Sequence, residues 1–385
     1  MQKKIIPVES TAKNSYKGLN VLLIQVELPK WRRARHWSYT VHLGMEEGLK
    51  ANRVEHFTLT TPWFPRAPEI LKGRKFDQVW INDLAHLGDL GNISDPELEW
   101  IASIAPVRIG FLVESIEYSS EEYEANPWLT ERRHEIEKRL KYVTHVVACD
   151  EKDPIAITEH MLLPAVWSPS AVPERFICKR VSKAQGKFGL FGGAPYGERA
   201  NWLERPDLKS FLIHELSPEN RTLYPLLFNC LPAHRANRLV SKRTFPSFIY
   251  PIYIHSLRCI RRRCFQMWLR GMLGGSAVVN LPHWVKCYPG RVIEAMAAGR
   301  PVISWEIPDR PQNRALFNDG EEILLYSRND SGQLASHIKA LISNPELGRR
   351  IAQKARIKII RFHTIEKRIQ QILNWVESGE MPIYN

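Results

Sequence analysis

The chain has 385 residues, 44% of them hydrophobic; at about twice the usual single-domain size, it is expected to form two domains with separate apolar cores. No uninterrupted apolar run approaches the roughly 18 to 20 residues that cross a bilayer, and the opening MQKKIIPVESTAKNSYKG has no signal-peptide apolar stretch, so a cytosolic protein is expected, with peripheral contact at the inner membrane face left open. The net charge of +13 implies an anionic partner, for which nucleotide phosphates, an anionic membrane face and nucleic acid all qualify.

In chain order, apolar strand patterns alternate with helical periods. Asn20 to Leu28 reads as a strand, Thr40 to Asn52 as a helix and Arg53 to Thr61 as a strand. Strands follow at Phe76 to Asp83, Val107 to Ser115 and Val143 to Asp150, separated by a helix over Asp95 to Ile104 and a charged helix around Leu129 to Tyr142. That alternation predicts a parallel sheet covered on both faces, a Rossmann-like first domain. The Pro/Ser-rich end of His160 to Phe176 and the polar Val181 to Lys187 put a boundary near residue 180. A second β/α series then begins with a strand running into Gly192-Gly193 and a helix containing Trp202. Asn229 to Arg270, mixing aromatics, prolines and arginines, fits helix, strand or insertion equally. The last segment is amphipathic, with Ile357, Ile360, Ile365, Ile369, Ile372 and Leu373 as an apolar stripe. The six cysteines show no metal-ligand spacing and read as free, mostly buried thiols.

The most informative stretch is Tyr288 to Ser304, YPGRVIEAMAAGRPVIS. The strand-like Ser276 to Leu281 precedes it. Pro289-Gly290 turns the chain, Arg291 to Ala298 suit a helix with Glu294 in its first turn, Gly299 stops the helix, and Pro301 restarts a strand. In such a β-loop-α-β unit the loop amides and helix N-terminus suit a diphosphate, and an acid nearby suits ribose hydroxyls.

The Glu-Ala-x-Ala-x-Gly-x-Pro pattern beginning at Glu294 resembles the C-terminal signature of GT-B glycosyltransferases, in particular the spore-coat CgeB-type "glycosyl transferases group 1" branch. The likeness continues through Asn318 to Ser327, Ile342 to Arg356 and Phe362 to Leu373, about 100 residues in all. It implies two Rossmann-like domains facing a cleft: 1–180 for the acceptor, 181–362 for the nucleotide sugar, and 363–385 with a helix returning to the first domain. It also implies transfer of a sugar from a nucleotide diphosphate donor to a hydroxyl-bearing acceptor without a metal, since no Asp-x-Asp motif is present and cationic side chains neutralise the leaving diphosphate. No cofactor is expected beyond the nucleotide sugar as co-substrate, and no nucleic acid. The acceptor could be a glycan, protein, lipid or small molecule.

On that resemblance Glu294 is assigned to the ribose and Arg291, a cation at an otherwise unfavourable helix start, to phosphate, with Gly290, Tyr288 and Lys286 in the same loop. Lys286 occupies the place of an earlier Glu found in many retaining enzymes, and is either a solvated loop residue or a phosphate contact. Gly193 and Arg199 are further donor-side candidates. On the other domain, Trp31, Trp37 and Tyr39 suit stacking on an acceptor sugar, and His36, Glu114 and Glu117 are candidate catalytic bases; the two glutamates fit helix caps equally well. Asp83, Asp150 and Asp153 are similar edge acids. His283 lies in the nucleotide loop, and Arg258, Arg261, Arg262, Arg263 and Arg270 read as a solvated helix face or a contact for lipid head groups or an acidic acceptor. The alternative is a catalytically silent, basic GT-B-like protein that binds polysaccharide, an envelope surface or nucleic acid; an epimerase or phosphorylase on the same fold is a third reading.

Overall fold

A computed structural model describes residues 16–27, 39–85, 93–193, 195, 197–214, 239, 240 and 242–385, with only the backbone of 39–43. Two parallel sheets organise them. The first contains β1 (Asn20–Gln25), β2 (Glu55–Thr60), β3 (Gln78–Ile81), β4 (Val107–Leu112), β5 (His145–Ala148) and β6 (Ala165–Trp167), in the order β2-β1-β3-β4-β5-β6. The register is continuous, with Val21 opposite both His56 and Gln78. Helices α1 (Tyr39–Ala51), α2 (Ala67–Ile70), α3 (Asp95–Ile104), α4 (Ser120–Ala125), α5 (Trp128–Leu140) and α6 (Asp153–Met161) connect these strands. Buried residues on both faces of β1, such as Leu22 and Leu23, enter two different core clusters, as a doubly covered parallel sheet requires.

The second sheet contains β7 (Gly189–Phe191), β8 (Leu212–His214), β9 (Ala277–Asn280), β10 (Val302–Trp305) and β11 (Leu324–Tyr326), in the order β11-β10-β9-β7-β8. Its helices are α7 (Glu198–Leu203), α8 (Pro206–Lys209), α9 (Tyr250–Met272), α10 (Gly290–Ala298), α11 (Pro311–Ala315), α12 (Ser331–Ser343), α13 (Pro345–Phe362) and α14 (Ile365–Ser378). The chain turns back between β7 and β9, so the crevice beyond those two strand ends is where open α/β sheets place ligands. The C-terminal edges of the two sheets face each other across a cleft: Ser115 and Asp150, beyond β4 and β5, touch Lys286 and Arg310, beyond β9 and β10. This is the GT-B architecture.

Two helices tie the halves together. The stretch that sequence leaves illegible contains α9, whose first turns bury Tyr250, Ile254 and Leu257 in the first domain's core while Phe265, Leu269 and Met272 enter the second. The single apolar stripe expected near the end is instead divided between α13 and α14 at His363-Thr364, and Ile357 on α13 is 56% exposed. Helix α14 returns to the first domain and packs on α1, burying Ile365, Ile369, Ile372 and Leu373, each worth about 1.5 to 3 kcal/mol. Close approach depends on Gly48: a Cβ there would come 2.2 Å from Cγ1 of Ile369. Among the described cysteines, Cys264 and Cys287 are buried, Cys149 and Cys178 half-buried and Cys259 exposed, and all five are free thiols.

Candidate functional site

The β9-loop-α10-β10 unit forms one wall of the crevice. Pro289 is the N-cap of α10 and the helix starts at Gly290, so Glu294 lies in the second turn, one residue beyond the first-turn position expected. Gly299 ends the helix at φ +82°, a left-handed conformation that disfavours any side chain. Glu294 is only 4% exposed, and its Oε2 accepts a 2.7 Å hydrogen bond from Trp268 Nε1 on α9. An ionised carboxylate at such depth is held by charge-assisted donors. Trp268 supplies one, and sequence reasoning missed it because the two residues belong to separate elements that meet only in the fold.

Above α10 the site is cationic. Arg291 donates to Oδ1 of Asn280 at 3.0 Å and lies over the Phe191 ring, and Arg199 from α7 covers the same ring. Gly193 lets Arg291 approach closely: a Cβ there would meet Arg291 Nη2 at 2.8 Å and Phe191 Cζ at 3.0 Å, so the guanidinium would have to shift. The Gly193 carbonyl in turn sits 2.8 Å from Nε2 of His214. His283, 5% exposed, takes a hydrogen bond from the Val285 amide on Nδ1 and stacks on Trp284. Burial drives its pKa far below the usual histidine range, and the guanidinium groups of Arg199, Arg291 and Arg132 push the same way. Arg199 and Arg291 thus bring positive charge from two elements to this side of the crevice, while Arg132, from the opposite domain, is paired with Glu114. That is an environment for an anion.

The other loop residues serve different contacts. Lys286 is 8% exposed, which excludes a solvated loop residue; its Nζ pairs with Glu122 of α4 at 2.5 Å and its amide donates to Ser115 Oγ. Tyr288 is buried against Phe317, and its backbone bridges Ser170 and Asn313. Ser115 also donates to Asp150, which Arg310 grips through two nitrogens at 2.5 and 3.0 Å. Asp153 accepts from the amides of Ile116 and Glu117. Asp150 is thus a structural acid of the domain junction, and Asp153 one within the first domain. Asp83 is likewise buried.

On the first domain, Glu114 pairs with Arg132 and Glu117 with Arg133, so neither is a helix cap; Ser119 caps α4. Trp128 of α5 meets Trp284 edge to face at 5.2 Å across the cleft. Trp31, His36 and Trp37 lie outside the described residues, and Tyr39 is described only as the first residue of α1. The arginines of α9 do not form one solvated face: Arg258 and Arg261 turn inward onto Glu46 and Glu27. Among the described residues, no group of three His, Cys, Asp or Glu side chains is arranged to hold a metal ion, and no helix is long and apolar enough to cross a membrane.

A sequence profile described as "glycosyl transferase-like" matches residues 272–374, which span β9 to α14. No curated protein matches the chain in sequence. Among solved structures, the chain is similar to Anabaena HepE (Alr3699) in complex with UDP-glucose, with TM-score 0.55 and 11% identity over 94% of this chain and all of the other. It is similar also to sucrose-phosphate synthase from Thermosynechococcus elongatus, with TM-score 0.58 and 11% identity over 94% and 99%. A third likeness, to a TarM variant from S. aureus, has TM-score 0.50 and 13% identity over 82% of this chain and 58% of that one. At these identities the likeness is one of fold, and the fold shared along nearly the whole chain is GT-B.

Proposed function

We propose that the protein is a GT-B glycosyltransferase that moves a sugar from a nucleoside diphosphate donor to a hydroxyl-bearing acceptor. The observation that supports this reading is the placing of Arg199 and Arg291 over one ring, Phe191, at the β7/β9 switch point and beside the start of α10. The diphosphate would lie there, with guanidinium groups and the N-terminal amides of α10 stabilising the charge that develops as the glycosidic bond to phosphate breaks. Glu294, oriented by Trp268, would accept from the ribose hydroxyls. Because HepE is described with UDP-glucose, uridine is the first base to test.

The acceptor would enter from the first domain, towards Trp31, Trp37 and Tyr39, and a base would take its hydroxyl proton. Glu114 and Glu117 serve only if they leave Arg132 and Arg133, whereas His36 is the remaining candidate from sequence. Those two ion pairs are also the observation that favours the second reading, a donor-binding protein without turnover. Membership of the spore-coat CgeB-type branch is a narrower proposal resting on Asn318 to Ser327 and the helices after it. The divisions at residues 180 and 362 likewise stand as proposals.

Calorimetry with UDP, GDP, ADP and TDP tests the donor site: one of them should bind, and Glu294→Ala should abolish it. Release of the nucleoside diphosphate from the matching nucleotide sugar separates enzyme from silent binder. Transfer that vanishes in EDTA and returns with Mn²⁺ would overturn metal independence.

A further inference from the structure

The charge of the chain is concentrated. Residues 220–293 contain twelve Lys and Arg and no Asp or Glu, while the remaining 42 bases are almost balanced by the chain's 41 acids. Helix α9, 23 residues long, lies inside that window. Its exposed residues Ile252, Ser256, Cys259, Arg263, Gln266 and Arg270 follow one another at steps of four and three, so they form one row about 27 Å long. The opposite side is the buried row of Ile254, Leu257, Phe265 and Met272.

The two sides treat arginine differently. Arg258 and Arg261 are neutralised by Glu46 and Glu27, whereas Arg262, Arg263 and Arg270 have no carboxylate partner among the described residues. At the start of the helix the outer row ends in apolar groups: Ile252 is 68% exposed, and Phe248, in the turn before it, 75%. A cationic helix face with an aliphatic and an aromatic group at one end suits the boundary between charged head groups and acyl chains, where arginine stems lie along the apolar layer. A nucleic acid would use the arginines and leave Ile252 idle. Residues 215–238 carry Arg221, Arg235 and Arg238 against Glu215 and Glu219, so they offer no surplus of acid for this face.

We propose that the outer face of α9 docks the protein on a membrane containing anionic lipid, with Phe248 and Ile252 entering the interface and Arg262, Arg263 and Arg270 meeting head-group phosphates. This is independent of sugar transfer. The test is co-sedimentation of the full chain with phosphatidylcholine vesicles, with and without about one-third phosphatidylglycerol. Wild-type protein should bind the anionic vesicles only, and less as salt is raised. Arg263→Glu with Arg270→Glu should lower partitioning at least about tenfold, and Phe248→Ser with Ile252→Ser about fivefold. Arg263→Lys with Arg270→Lys should bind like wild type. All four side chains are exposed, so each variant should melt like wild type and keep its diphosphate affinity. Equal binding to neutral vesicles, no vesicle binding, or binding indifferent to either pair would overturn the proposal. So would capture of single-stranded RNA that needs the arginines but not Phe248 or Ile252.

Discussion

Two groups of arginine line the same cleft and do opposite things. Arg310 is 3% exposed and gripped by Asp150, which is fully buried and also holds Ser115. Arg199 and Arg291 instead lie over the Phe191 ring, and their charge helps to keep His283 neutral. The first arrangement closes a charge inside the fold and joins two domains; the second leaves a buried histidine in a positive field. The difference teaches where shape is fixed and where a ligand fits: a buried cation gripped through two nitrogens by a buried carboxylate is architecture, whereas two cations gathered over one aromatic ring at the sheet's switch point are suited to an incoming anion.

The largest expected effect breaks the first arrangement. Asp150→Asn leaves Arg310 buried without its counter-ion and should cost about 3 to 5 kcal/mol in chemical denaturation. Arg310→Met in the same background should recover much of the loss, because removing both charges relieves the burial. A loss below about 1 kcal/mol in the single variant would mean that the pair is not a clamp.

Arg291→Ala sharpens the contrast from the other side. Calorimetry should show diphosphate affinity falling about 10- to 100-fold, the range of one lost charge-assisted contact, while stability changes by about 1 kcal/mol or less. Equal loss of stability in the Asp150 and Arg291 variants would erase the distinction between clamp and site. Trp268→Phe is intermediate: it removes the donor to buried Glu294 and should destabilise by about 1 to 3 kcal/mol, with a few-fold weaker nucleotide binding.

The two arrangements were unequally legible in sequence. The strand-loop-helix-strand unit from Ala277 to Trp305 could be read because its signals are local: an apolar run, a Pro-Gly turn, and a glycine at a left-handed C-cap. The return of α14 to α1 was readable too, through the isoleucine spacing and the family resemblance. Helix α9 was not, because Arg261 on its buried side interrupts the apolar period; the glutamate that neutralises it, Glu27, lies 234 residues away. Trp268, Asn280 and Arg132 escaped for the same reason, since each acquires its role from a partner that only tertiary folding supplies. Ser115, Asp150 and Arg310 were dispersed in the same way, so of this structural hub the sequence showed only Asp150, as an edge acid.

The smallest effect lies between the two groups, at Glu122 and Lys286. Burial raises the pKa of Glu122, but the hydrogen bond and charge of Lys286, with the Ser119 amide, outweigh burial and leave it lowered. The unfolded carboxyl, with an ordinary pKa near 4.3, therefore binds its proton first as pH falls. The contribution of the pair is complete above that pH and is lost as pH drops through the lower native value. Denaturation midpoints compared between wild type and Glu122→Gln should differ near neutral pH and draw together as pH falls below the ordinary carboxyl value of about 4.3. Since Lys286 also holds Ser115 through its amide, the junction should loosen at the side chain while the Asp150 hub persists. A Glu122→Gln difference that stayed constant across this range would mean the ion pair contributes nothing, and the positive charge of Lys286 would then belong with the anion site rather than with the clamp.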